Sequence, residues 1–205
     1  MPNSLPGEYC EFKQTVEDIR SGSLQVKYLG GGSESEVYRV AVNEKDYAVK
    51  FAKRFTRLDR PRNTVAATER KISAGLRGLG MDGLEQMRTA SPQDGVAIFD
   101  FVCGITAKSM TDEDIFNVTD LQLQKLYETI NMAVEAGIEF DPWNQDGSNV
   151  LYTKEGGFTL IDYFVDYAQT SPEESKLNGF KALGPMAIKL ANLYDLGSLG
   201  TINVL

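Results

Sequence analysis

The hydrophobic period of this chain shifts from mainly strand-like to mainly helical close to Gly104. Ahead of that point, apolar residues alternate with polar ones. Leu24, Val26 and Tyr28 stand on a two-residue period, and Glu36–Val42 and Lys45–Phe51 continue it, with turns at Gly30–Ser35 and Asn43–Glu44. Such alternation reads as a meander of half-buried strands. Behind Gly104 the spacing becomes helical. Leu123, Leu126, Tyr127, Ile130, Ala133 and Val134 lie on one stripe of Asp120–Ala136, and Gly137 is a good stop. A mainly stranded half followed by a mainly helical one predicts an α+β fold with two lobes.

The first half completes its sheet with strands near Glu85–Thr89 and at Val96–Val102, after one inserted helix over Val65–Leu79 that follows the break at Pro61. Glu8–Arg20 reads as a short N-terminal helix ahead of the sheet. In the second half, Phe140–Ser148 is a polar loop, and Val150–Thr153 and Phe158–Ile161 flank Gly156-Gly157 as a hairpin. Ser171-Pro172-Glu173-Glu174 opens one or two helices running to Asp195. The expected division is an extension over 1–22, a sheet lobe over 23–102 and a helical lobe over 103–205. The joint at 100–104 would floor a cleft between the lobes.

Composition removes several chemistries. The 205 residues contain no histidine, so histidine triads, histidine zinc ligands and imidazole acid–base catalysis are excluded. Any proton must pass through a carboxylate, lysine, tyrosine or water. The two cysteines, Cys10 and Cys103, fit no metal spacing and no disulfide framework. A net charge of −8 argues against nucleic acid as a partner. No apolar run approaches the ~18–20 residues that span a bilayer, and Met1–Gly22 lacks the pattern of a cleavable secretory signal. One stretch is basic: Lys50, Lys53, Arg54, Arg57, Arg60 and Arg62 are interrupted by one acid, Asp59. It is either a solvated linker or a docking patch for an acidic partner.

The residues with chemistry fall in a fixed order. Gly30-Gly31-Gly32-Ser33-Glu34-Ser35-Glu36-Val37 follows G-x-G-x-x-G-x-V with serine at the third glycine. Such a loop lets backbone amides approach phosphate oxygens, although three glycines also make an ordinary hairpin turn. Lys50 closes Tyr47-Ala48-Val49-Lys50 inside an apolar strand, where a lysine costs free energy unless it meets an anion or snorkels from an edge. Glu69 follows nineteen residues later in the helix, as a partner carboxylate or a solvated one. Asn149 starts one strand of the late hairpin and Asp162 ends the other. The hairpin returns its end to its start, so amide oxygen and carboxylate can converge as hard ligands of magnesium. A polar hairpin end is the plainer alternative.

That order resembles a protein kinase over roughly residues 24–170. Size and general look are similar to the minimal effector kinases that bacteria inject by type III secretion. Of these, the HopBF family phosphorylates the host Hsp-ninety chaperone, and the OspG-like group engages ubiquitin-charged conjugating enzymes. The resemblance implies a two-lobed kinase fold with a truncated C-terminal lobe and a very short activation segment. It implies ATP with magnesium or manganese, a monomer, a folded host protein as substrate, and delivery into the host cytoplasm. Gly30, Gly31, Gly32, Ser33 and Val37 would cover the nucleotide. Lys50, held by Glu69, would pair its phosphates, and Phe101 and Cys103 would sit at the adenine hinge. Asn149 and Asp162 would hold the metal.

The departures shape the expected mechanism. Position 144, where the catalytic aspartate would precede Asn149, is asparagine. Asp141 is then the expected base for the substrate hydroxyl and Asp146 its substitute; with neither in reach the chain would be a pseudokinase. Asp162-Tyr163-Phe164 replaces Asp-Phe-Gly, and eight residues separate Asp162 from Ser171. So short a segment predicts constitutive activity without a phosphorylation switch. About forty residues follow Asp162, too few for a peptide-seating platform, which predicts recognition through a docking surface. A small-molecule kinase, which shares the Asn–Asp hairpin, is the other enzyme reading.

Overall fold

The computed structural model describes residues 8–31, 35–53, 62–140, 146–163, 171–184 and 186–189. Its contacts divide the chain into two units. The first comprises Met1–Leu76 with Gln86–Phe101, and the second Arg77–Glu85 with Val102–Leu205.

The first unit is built on a five-stranded antiparallel sheet in the order β1-β2-β3-β5-β4. Its strands are β1 (Lys27–Gly31), β2 (Ser35–Val42), β3 (Lys45–Ala52), β4 (Met87–Ser91) and β5 (Val96–Asp100). Two helices accompany them, α1 (Glu8–Ser21) ahead of β1 and α2 (Arg62–Arg77) between β3 and β4. The β2–β3 turn is the expected one, Asn43-Glu44, both at positive φ as a tight two-residue hairpin requires. The period-two pattern sorts side chains to two faces. Val40, Val49, Val96 and Ile98 pack with Phe12 and Val16 of α1. On the other face, Ala48, Met87, Ala90, Ala97 and Phe99 form a second core, against which Val37, Ile72 of α2 and Phe101 pack.

Helix α1 is therefore a structural layer of this unit. Burying Phe12 and Val16 stabilises it by up to ~1.5–3 kcal/mol each. Polar contacts fix its register: Tyr9 Oη donates to Asp94 at 2.6 Å, Arg20 donates to the Asp94 carbonyl, and its guanidinium lies 5.5 Å over the Phe51 ring. Burial, and then the bond to Asp94, push the Tyr9 phenol up to about 12. The folded state thus prefers the neutral phenol. This contribution is complete below the ordinary tyrosine value of 10 and is lost as pH rises from there to about 12. Tyr9→Phe is expected to cost about 1 kcal/mol in denaturant unfolding at neutral pH. It should also remove one late-titrating phenol from the alkaline absorbance curve.

The second unit holds a three-stranded antiparallel sheet, β6-β7-β8, made of Ile105–Thr106, Val150–Thr153 and Gly157–Leu160. Its helices are α3 (Asp112–Asn117), α4 (Asp120–Glu135) and α5 (Pro172–Lys181). Helix α4 buries the stripe Leu123, Leu126, Ile130, Ala133 and Val134, and Tyr127 stacks on Phe180 of α5 at 5.6 Å. Thr119 and Gln122 form a capping box at its start. At its end Ile138 N–H returns to the Ala133 carbonyl past Gly137 at positive φ. Among the described residues no helix is long and apolar enough to cross a membrane.

Some boundaries differ from expectation. The first strand lies at Lys27–Gly31 rather than Leu24–Tyr28, so Gly30 and Gly31 belong to a strand and not to a turn. Two elements, β6 and α3, had no periodic signal. β6 has two residues, and α3 buries none of its own, resting instead on the Thr111–Asp114 capping box. The C-terminal helical region divides: α5 ends at Lys181, turns over 182–184, and is helical again over 186–189.

Candidate active site

In the first unit, the expected phosphate-binding residues fall on one row of the sheet. Gly30 of β1 pairs with Val37 of β2, Val37 with Lys50 of β3, and Lys50 with Ala97 of β5. Neighbouring strands lie ~4.8 Å apart, so the glycine strand and the lysine are separated by Val37 alone. Gly31 has a steric requirement: a Cβ there would stand 2.8 Å from Tyr28 Oη and 2.9 Å from the Ser35 carbonyl. Gly32 and Ser33 lie outside the described residues.

Lys50 is 5% exposed, and its Nζ stands 4.5 Å over the Phe99 ring. An ammonium so deeply buried is held there by electrostatics, of which the ring face supplies one part. Phe101 packs on the same core, with the Arg39 guanidinium 4.5 Å over its ring. Glu69 is exposed on α2, so the helix carboxylate expected beside the lysine stands in solvent while the lysine is buried.

In the second unit, the β7–β8 hairpin brings Asn149 and Asp162 together. Val150 pairs with Leu160, and Ile161 N–H donates to the Asn149 carbonyl at 2.9 Å, one ladder step further. Asp162 follows at once, with φ +56°, a left-handed conformation rare outside glycine and found mostly in asparagine, aspartate and histidine. Both side chains are half-buried. A carboxylate and an amide one ladder step apart suit a small hard cation that completes its shell with phosphate oxygens and water. Among the described residues no cluster of three or more acids or thiols offers a metal cage of its own.

Asp141 lies outside the described residues, as does Asn144. Asp146 is described, and its carboxylate is committed. Lys108 Nζ donates to it at 2.6 Å and Ser148 N–H at 3.0 Å. The lysine first, and then Ser148, hold its carboxyl down at about 2, which makes it a weak base. Cys103 is an exposed free thiol.

One residue at this site had no sequence signal. Glu85, 5% exposed, lies in the segment before β4, and its Oε1 accepts the Asp162 N–H at 2.7 Å. Tyr163 Oη donates to the Glu85 carbonyl at 2.5 Å. Burial, and then the Glu85 charge, push the Tyr163 phenol well above its ordinary range, so it is a fixed neutral donor. The contact bridges 77 positions, and no local pattern announces it.

No family model matches the chain. No curated protein matches it. Among solved structures it is similar to the Rio2 kinase–ADP/Mg2+–phosphoaspartate complex from Chaetomium thermophilum, with a TM-score of 0.53 and 13% identity. The likeness covers 94% of this chain and 61% of that one, so the chain spans about three fifths of that kinase's length. At that identity the likeness shows the fold: the chain has a mixed α+β, protein-kinase-like fold, shorter than the kinase it resembles.

Proposed function

We propose that this protein is an ATP-dependent protein kinase acting on serine or threonine hydroxyls of a folded protein. The observation that carries the reading is the end of the β7–β8 hairpin, where Ile161 N–H bonds the Asn149 carbonyl and Asp162 follows directly, on a fold of kinase type. The structural neighbour is a kinase in complex with ADP and Mg2+. Here Asn149 and Asp162 would hold magnesium or manganese, which when bound neutralises charge on the transferring phosphate. Lys50 would pair the phosphates, Gly30–Ser33 would cover them, and Asp141 would orient the hydroxyl. The substrate oxygen attacks the γ-phosphorus, the bond to the bridging oxygen of ADP breaks, and the hydroxyl proton passes to Asp141. Positioning and charge do most of the work in such transfers.

The resemblance to HopBF-type effector kinases supports a folded host protein as substrate, such as the Hsp-ninety chaperone, and delivery by type III secretion. Isolated peptides are then expected to be phosphorylated far more slowly than their parent protein, with equal rates counting against this part of the reading.

The test is labelled ATP with magnesium, with and without eukaryotic lysate, beside Asp162→Ala and Asp141→Ala. Label on a lysate protein that survives hydroxylamine and is lost in Asp162→Ala is the expected result. Hydroxylamine-labile label on the protein itself would assign transfer to a carboxylate, as in the neighbour's phosphoaspartate. Nucleotide binding without transfer would support a pseudokinase, a reading favoured by Asn144 in place of the usual aspartate and by the committed carboxylate of Asp146.

A further inference from the structure

We propose that Glu85 is a positioning residue for the metal-binding Asp162, an inference that rests on the kinase reading above. Asp162 has φ +56°, and for a non-glycine residue this conformation persists only where its surroundings over-determine it. The segment Gly83–Glu85 provides that. Leu84 bridges Leu160 in parallel, Leu160 N–H donates to the Gly83 carbonyl at 2.7 Å, and Glu85 N–H donates to the Leu160 carbonyl at 3.0 Å. The segment thus forms an added edge on β8, opposite to β7. Its last residue then reaches past the end of the ladder. The Glu85 carboxylate takes the Asp162 N–H, and its carbonyl takes the Tyr163 hydroxyl. Asp162 is gripped on one side by Glu85, and the residue before it on the other side by Asn149.

The added edge is itself fixed. Gly83 has φ +81°, and a Cβ there would stand 2.6 Å from Thr129 Oγ1, which donates to the Asp82 carbonyl at 3.1 Å. The bond from Asp162 N–H to the Glu85 carboxylate is charge-assisted and partly buried, hence stronger than an amide–amide bond. Its direction matters for function. A backbone N–H locked to Glu85 fixes the peptide plane before Asp162, and with it the point from which the aspartate side chain departs. Partners of this kind typically contribute about 10–100-fold to metal affinity or activity.

The experiment measures the magnesium dependence of ADP binding by calorimetry in wild type, Glu85→Gln, Glu85→Ala and Asp162→Ala. Glu85→Ala is expected to raise the magnesium needed for half-maximal enhancement by about 10-fold or more, while ADP affinity without metal is unchanged. Glu85→Gln keeps an acceptor oxygen and should recover most of the loss. Unaltered magnesium dependence in Glu85→Ala, with wild type binding MgADP, overturns this inference and leaves the kinase reading standing. Wild type that binds no MgADP overturns both. A second measurement needs only folded protein: the Asp162 amide proton in the NMR spectrum should move upfield in Glu85→Gln, and an unmoved resonance there overturns the contact.

Discussion

On the kinase reading, Asp162→Ala is expected to lower phosphoryl transfer by ~10³-fold or more, since it removes a carboxylate that would hold the metal at the reacting phosphate. The protein will still fold, because Asp162 is half-buried and its peptide is held through the backbone. The informative partner variant is Asp162→Gly. At φ +56° an alanine is strained by about 1 kcal/mol relative to glycine. Asp162→Gly should therefore be the more stable of the two by about that amount, read from denaturant midpoints, while both are equally inactive. If glycine and alanine differ in activity, the backbone and not the carboxylate is the essential feature. If either retains transfer near wild type, Asp162 is not the metal ligand.

On the same reading, Lys50→Ala is expected to cost ~10²–10³-fold in kcat/KM for ATP, through lost pairing with the phosphates. Restoring the charge will not restore function. Lys50 is 5% exposed, flanked on the sheet by Val37 and Ala97 and covered by the Phe99 ring. A compact ammonium on a flexible stem fits that space, whereas a planar guanidinium is larger and directs its donors as a rigid fork. Lys50→Arg should show the loss of Lys50→Ala in steady-state kinetics with ATP. Recovery to within a few-fold of wild type would mean that a positive charge is enough and that the shape of the ammonium is not required.

Glu69 shows how far spacing can be trusted. Nineteen residues after Lys50 is the interval a kinase helix uses, and α2 does carry Glu69, but the side chain is exposed. Sequence distance placed the residue on the right element and said nothing of its rotation about the helix axis relative to the sheet. The Asn149–Asp162 interval was more informative because a hairpin is a closed geometry. Once Gly156-Gly157 turns the chain, Val150 must face Leu160 and the ends must meet. The Asn43-Glu44 turn and the α4 stripe were legible for the same reason, each being a local pattern with one low-energy solution.

The sequence by itself determined the shift from mainly strands to mainly helices at Gly104, the order of the glycine cluster, Lys50, Asn149 and Asp162, and the exclusion of histidine chemistry. Burial with a period of two or 3.6 and turn chemistry are short-range effects, and they leave their mark on neighbouring residues. Only the tertiary structure decided that α1 covers one face of the sheet, that Asp146 is committed to Lys108, and that Glu85 grips the backbone of Asp162. The two polar contacts join segments far apart in the chain, 38 residues for Lys108–Asp146 and 77 for Glu85–Asp162. A hydrogen bond across such a distance asks only for a donor and an acceptor, which almost any polar residue can supply. It therefore leaves no pattern along the chain until the fold brings the two together.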